Sequence, residues 1–444
     1  MKGLICYGLA VALAATVYLP IEDWDEARRG INALAMHCRG DYLDYYFVDR
    51  PDTFNTKPPL FLWSVALSFK VFGPGVVALR LPSLLALAGF LVYVGHWMKQ
   101  YYGRTLACMV LTVLVSVRGI IGYHVGTSGD TDMLFTCLLT VACLEHFSYL
   151  QGGRSLRLSV AIVAGWLAFL TKGVAVVLVV PGVLLATLLY PQLRRRISSR
   201  TMLVPTALLL FLAAAAVLLL HYMGRTTLLT AGYANLLEAT FLRDGVQRLT
   251  DPGFERQPAP FFVFQALDIR FGPPIYVLYA ALFLLPLRYG LRPLLARVRK
   301  DRLAVYAGGI AGSVLLLLHL SANKHNWYVA PALPFLAYLF VRAYRALVPE
   351  RRWQWAGLGA LLLFTAVQRA VEVVRADPHL IAIPPETRRQ VRQARQVTVG
   401  VHTAQHVLFE VLLLSQDPCS VRLIDEPPGY DHGSPASNLW LTTE

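Results

Sequence analysis

The chain has 444 residues, of which 56% are hydrophobic and only 15% charged, with a net charge of +14. A soluble domain is nearer 45–50% apolar and about 25% charged. The composition therefore excludes a disordered, collagen-like or coiled-coil chain and argues against a soluble enzyme, and the mean hydropathy of +0.50 agrees. The lysines and arginines fall between apolar runs rather than along one face, which argues against nucleic acid as a partner.

A membrane-crossing helix needs about 20 apolar residues. Candidate spans lie at about 3–19, 78–97, 105–123, 133–150, 158–171, 174–191, 202–222, 272–287, 303–320, 327–343 and 353–370. The first could instead be a signal peptide with Lys2 before it. If eleven spans alternate, the basic connections at 99–104, 154–157, 194–200, 288–302 and 342–352 share one side. The positive-inside rule makes that side cytoplasmic. Loops at about 20–77 and 223–271, the turn at 124–132 and the segment from 371 then lie outside.

The polar residues of interest fall on that outer side. Asp23 to Arg29 follow the first span and would serve as a solvated helix start if nothing more is asked of them. Gly40-Asp41 and Asn55-Thr56-Lys57-Pro58-Pro59 come next, with Lys57 held extended by the proline after it. Residues 60–72 read as an interfacial helix ending at Phe72-Gly73-Pro74. In Ser128-Gly129-Asp130-Thr131-Asp132, a helix cap accounts for one aspartate but not two. Lys172 interrupts an apolar run, and an ionisable residue there is a functional candidate, with outward snorkelling as the alternative.

Six cysteines are too few and too scattered for a disulfide framework or a zinc site. Cys38 and Cys419 are the only pair placed outside the membrane, and they are expected to remain unpaired. The tail reads as a small domain: a basic amphipathic stretch at 384–396, strands at 397–401 and 419–425, and a helix at 404–414 between them. There is no internal repeat.

Taken in order, these motifs resemble the membrane glycosyltransferases that use polyprenyl-phosphate sugars, the GT-C architecture. Within it the chain looks like the lipid A aminoarabinose transferases and the protein O-mannosyltransferases. The resemblance covers about residues 10–340. It rests on Asp25-Glu26, Gly40-Asp41, Lys57-Pro58-Pro59, Phe72-Gly73, Arg80-Leu81-Pro82-Ser83, Asp132, Leu170-Thr171-Lys172-Gly173 and Lys324-His325-Asn326-Trp327-Tyr328-Val329-Ala330-Pro331. It implies an all-α polytopic membrane protein of GT-C architecture. About eleven transmembrane helices would form a module over 1–372, with a small extracytoplasmic α/β domain at 373–444. The expected location is a bacterial-type inner membrane.

The implied activity is inverting transfer of one sugar from an undecaprenyl-type monophosphate. The acceptor would be a hydroxyl or phosphate on a lipid such as lipid A, an envelope glycan or a protein. The implied catalytic pair is Asp25, as general base, with Glu26 as helper. Lys57, Lys172, Arg248, Lys324 and Tyr328 would meet the donor phosphate. Asp132 would hold Lys57 or an arginine, or orient the sugar, and Arg243 rivals Arg248. An acid precedes the Lys-Pro pair in the aminoarabinose transferases and helps form a metal site. Thr56 stands there in this chain, so no metal and no other cofactor is expected. A lipid-linked oligosaccharide ligase or polymerase and a polytopic lipid or solute transporter are the alternatives. The transporter predicts midplane charges or an inverted repeat, and neither is present.

Overall fold

The computed structural model describes residues 1–189, 199–247, 261–375, 383–400, 403–424 and 441–443. Helices α1 (Lys2–Tyr18), α2 (Asp25–Arg39) and α3 (Leu60–Phe72) are followed by the long α4 (Val76–Ser116). Next come α5 (Thr131–Leu150), α6 (Ser155–Lys172), a 3-10 segment over Gly173–Val179, and α7 (Val180–Leu189). Helices α8 (Ser199–Tyr222), α9 (Leu236–Phe241), α10 (Phe262–Phe271), α11 (Pro274–Tyr289) and α12 (Leu291–Lys300) continue the chain. After α13 (Arg302–Leu320), a 3-10 segment at Asn326–Ala332 leads into α14 (Leu333–Leu347) and α15 (Arg351–Arg375). A two-stranded ribbon, β1 (Tyr46–Phe47) with β2 (Arg50–Pro51), sits between α2 and α3.

Among the described residues, six helices are long and apolar enough to cross a membrane, or seven if α11 and α12, bent by 114°, form one span. The expected count of eleven is thus not reproduced by length and apolarity. Part of the difference lies in α4, which is helical throughout except at Gly103, where φ is +84°. The chain doubles back there. A Cβ on Gly95 would sit 2.9 Å from Leu111, whereas a straight helix would hold those two positions about 24 Å apart. Glycine meets the positive φ at no steric cost.

The third expected span, 105–123, is corrected to a helix that ends at Ser116. Residues 117–130 form a loop instead, tied down where the Gly119 amide donates to the Arg270 carbonyl at 2.8 Å. Ile120 and Ile121 are buried in the core rather than on a lipid-facing helix. The leg from 104 to 116 is about 20 Å long and α5 about 30 Å. The connecting loop therefore climbs through protein to reach the α5 N-terminus.

Two apolar cores result. One joins α4, α5, α13 and α14. The other packs α2 and α3 against the tail, which contributes α16 (Pro385–Gln393), β3 (Val397–Gly400), α17 (Gln405–Leu414), β4 (Arg422–Ile424) and β5 (Leu441–Thr443). In the tail sheet β3 is central, parallel to β4 and antiparallel to β5. The cysteine expectation is corrected as well: Cys38, at the end of α2, and Cys419, before β4, form a disulfide. Their separation of 381 residues hid the pairing. It depends on the tail sheet folding back onto α2.

Candidate functional site

Helix α2 begins with Asp25 and Glu26 in its first turn, where helix N-terminal amides favour negative charge. Successive helical positions point about 100° apart, and the two acids diverge accordingly. Glu26 is fully buried. Its Oε1 and Oε2 accept from Arg80 Nε and Nη2 at 2.6 and 2.7 Å. The same oxygens accept from the Gly129 amide at 2.6 Å and the Glu22 amide at 2.9 Å. Arg80 in turn donates to the carbonyls of Thr16, Leu19 and Pro20. The Arg-Leu-Pro-Ser motif therefore clamps the end of α1 and the start of α2. Glu26, expected to help with proton transfer, has its oxygens committed to that clamp.

Asp25 is different. Its side chain is 43% exposed, and its nearest cation is Arg29 at 3.4 Å. The same guanidinium lies 3.2 Å from Asp130. Asp130 also caps α5, accepting from the Thr131 amide. His124 lies 3.1 Å from Asp130 through Nδ1 and 2.5 Å from Glu22 through Nε2. Its ring stacks on Trp327 at 3.7 Å. Burial alone would lower the imidazole pKa, but hydrogen bonds and charge from Asp130 and Glu22 prevail and raise it to about 9. Glu22 is pushed up to about 7, chiefly by burial. Asp130 is held below the usual carboxylate range: burial works against it, and Arg29 and His124 outweigh burial.

The expected donor-binding residues fall into two neighbouring groups. Lys57 Nζ lies 3.0 Å from Asp244 Oδ1, and the Thr56 hydroxyl donates to Asp244 Oδ2 at 2.9 Å. Asp244 comes from the π-helical turn Leu242–Gln247. It therefore contacts both Thr56 and Lys57. Asp52 braces this loop: Arg28 makes a two-point contact with it at 3.0 and 2.7 Å, and Asn32 donates to it at 2.8 Å. The Tyr45 hydroxyl donates to the Lys57 carbonyl. Asp25, Arg28, Arg29 and Lys57 line one small cleft.

In the second group, Lys172 Nζ lies 2.6 Å from Asp132 and 4.6 Å from the centroid of the Tyr328 ring. Lys172 thus points into the protein rather than snorkelling. Asp132 pairs with Lys172, not with Lys57 as one expectation had it. Lys324 stands apart, 6.0 Å from the Phe262 ring. Arg243 donates to the Thr53 carbonyl and faces Phe54 at 4.9 Å. Arg248 lies outside the described residues.

Sequence reasoning missed Glu22, His124 and Arg270. Arg270 is buried and donates to the Asn326 side chain and the Tyr123 carbonyl. Burial lowers its pKa to about 10, so it stays charged at neutral pH. A lone arginine ending an apolar stretch was the available signal.

Asp25, His124 and Asp130 each bring one ligand atom within 4.8 Å of the others. As a metal site this set is poor. Arg29 already sits against both carboxylates, 3.4 Å from Asp25 and 3.2 Å from Asp130. An apolar cavity of about 640 Å³ between α5, α6, α7 and α8 ends against Phe241, one residue before the turn that carries Asp244.

Residues 56–221 match the family described as dolichyl-phosphate-mannose-protein mannosyltransferase. Among solved structures, apo ArnT from Cupriavidus metallidurans is similar at 16% identity. That match covers 92% of this chain and 84% of that one, with a TM-score of 0.66. The same protein bound to undecaprenyl phosphate matches at 16% identity, over 93% and 68% of the two chains, with a TM-score of 0.62. An Archaeoglobus fulgidus oligosaccharyltransferase tethered with an acceptor peptide matches at 11% identity, over 96% and 64%, with a TM-score of 0.55. No curated protein matches the chain. The fold is that of a polytopic membrane protein of the GT-C class. The mannosyltransferase family match over 56–221 covers the segment from Thr56 through Lys57, Asp132 and Lys172 to His221.

Proposed function

We propose that the protein is an inverting membrane glycosyltransferase that moves one sugar from a polyprenyl monophosphate to an acceptor oxygen on the extracytoplasmic face. The observation that carries this reading is the convergence of an accessible carboxylate, Asp25, with Lys57 in one small cleft. Asp25 takes the proton of the acceptor hydroxyl as its oxygen attacks the anomeric carbon. The bond from that carbon to the lipid phosphate breaks, and the phosphate keeps the electron pair. Inversion follows because no enzyme nucleophile intervenes.

The leaving phosphate gains about one negative charge. Lys57 and Lys172 are fixed cations for it, with the Tyr328 ring beside Lys172. One unit charge at about 4 Å is worth on the order of 4 kcal/mol at an effective dielectric near 20. That corresponds to about three powers of ten in rate. Asp244 and Asp132 hold the two lysines in place until the phosphate arrives. The apolar cavity ending at Phe241 suits the first isoprene units.

Catalysis on this reading uses no metal, because the Arg29 guanidinium already sits against the two carboxylates a divalent ion would need. Purified protein with a synthetic polyprenyl-phosphate sugar and membrane lipid extract should release polyprenyl phosphate and form a glycosylated product, with undiminished yield in EDTA. Absence of product overturns the activity. Loss in EDTA with recovery on adding one divalent ion overturns the metal-free mechanism.

A further inference from the structure

A second large cleft, of about 690 Å³, opens between α1, the 117–130 loop, α10 and α15. One wall is apolar: Tyr7, Val11 and Ala15 lie along one face of α1, and with Leu19 just past its end they extend for about 18 Å. Alanines and valines of α15, Ala370 among them, face it. Against this surface stand three arginines, Arg118, Arg270 and Arg369, and a single acid, Glu372. Arg118 pairs with Glu372. Arg369 has Nη2 buried with no hydrogen-bond partner among the described residues. An ionised group beside a membrane-spanning surface is costly and marks a polar ligand by default. A buried guanidinium nitrogen left unsatisfied adds to that cost.

The cleft also reaches the acidic cluster. Tyr123 lines it and meets His124 edge-on, ring centroids 4.5 Å apart. Trp327 lines it and stacks on His124. Lys57, Asp244 and the apolar cavity that ends at Phe241 do not border it.

We propose that this cleft binds a membrane lipid with a phosphate-bearing headgroup, its phosphate on Arg369 and Arg118 and its hydrocarbon along α1. The net positive charge of the cleft selects an anion, and the length of its apolar wall selects an amphiphile over a soluble phosphate. Seated there, the lipid headgroup lies next to Tyr123 and Trp327, so the cleft is the acceptor side of the site. That last assignment rests on the glycosyltransferase reading; the binding itself does not.

Two sources of lipid phosphate are separable by native mass spectrometry of the full-length protein from nanodiscs. The probes are phosphatidylglycerol, phosphatidylcholine and undecaprenyl phosphate. Phosphatidylglycerol should be retained at least tenfold better than phosphatidylcholine. Arg369→Met and Arg118→Met should each remove most of that preference, Arg369→Lys should restore it, and Lys57→Ala should leave it intact. Undecaprenyl phosphate should show the reverse pattern, lost with Lys57→Ala and kept with Arg369→Met. Ala370→Phe, which fills the apolar wall and spares every arginine, should also displace phosphatidylglycerol and guards against misfolding of the arginine variants. Equal retention of the two phospholipids, or phosphatidylglycerol binding unchanged in Arg369→Met and Ala370→Phe, overturns the proposal. Loss of undecaprenyl phosphate in Arg369→Met reassigns the cleft to the donor and overturns it too. None of these outcomes depends on turnover, so they separate failure of this proposal from failure of the transferase reading.

Discussion

Asp25 and Glu26 are chemically alike and adjacent, yet the structure gives them different surroundings. Asp25→Asn removes a proton acceptor and little else, so turnover should fall at least hundred- to ten-thousandfold while the melting temperature stays near that of the parent. Glu26→Gln leaves Arg80 buried without a countercharge, a change that costs about 3–5 kcal/mol in comparable pairs. Its signature should be a lower melting temperature and poor yield, with catalysis in the surviving fraction much less affected; differential scanning fluorimetry beside turnover assays separates the two. His124 makes a pH forecast. Its folded pKa of about 9 lies above the ordinary 6.5, so its stabilising protonation is complete below about 6.5 and lost as pH rises through 9. Glu22, raised to about 7, works in the same direction at lower pH. Melting temperature should therefore fall from pH 6.5 to 9, and His124→Gln should flatten that slope. Asp25 and Lys57 are singled out by the ordered set of motifs that carries the family resemblance; read alone, Asp25 is a helix start and Lys57 a loop lysine. Those motifs rank Asp25 as base over Glu26 as helper, but could not show that Glu26 is committed to a clamp, since that depends on Arg80 arriving from a helix more than fifty residues away. Glu22 and His124 gave no motif at all.

Helix α2 is held from both sides, by the Arg80 clamp below and by the tail above. The ring of Phe409 on α17 packs against Gly30 so closely that a Cβ there would come within 2.6 Å. Asp23 accepts from the His406 amide, Asp49 from the Leu423 amide, and the disulfide joins Cys38 to Cys419. A bond between such distant residues stabilises mainly by restricting the unfolded chain. Cys38→Ser should lower the melting temperature and release the tail to limited proteolysis under non-reducing conditions, while parent protein resists until reductant is added. An intact tail in Cys38→Ser would show that packing on Gly30 suffices. At this scale much was legible: the 60–72 helix and the tail's strand–helix–strand order follow from local periodicity. The end of α4 at Ser116 did not, because Ile120 and Ile121 extend the apolar pattern past the helix, and only the contact of Gly119 with Arg270 turns the chain away. The strand at Leu441–Thr443 was also missed, being too short to show a pattern.

At the scale of the whole molecule, Arg154, between α5 and α6, and Arg157, in the first turn of α6, stand at the opposite end of α5 from Asp130 and Asp132. The exposed Arg297, Arg299 and Lys300 on α12 follow a sharp bend after α11. A cysteine at Arg299 should label from the cytoplasmic side and one at Gln416 from the outside; labelling of both from one side would contradict the orientation. The number of spans was not legible, because a helix broken at Gly103 and a short α14 satisfy hydropathy differently from a uniform 20-residue rule. What the fold adds is proximity: Lys57 follows the ribbon, Lys172 ends α6, and Tyr328 lies in the 3-10 segment before α14, and on the proposed reading these remote segments serve one phosphate. Single-turnover kinetics with saturating synthetic polyprenyl-phosphate sugar tests that reading most directly. Lys57→Ala and Lys172→Ala should each slow the chemical step by about three powers of ten, through loss of charge stabilisation that develops only as the bond breaks, with donor affinity changing far less. The double variant should be slower than either, but by less than the product of the two. Fully multiplicative losses, or a Lys57→Ala defect confined to acceptor affinity, would contradict the account.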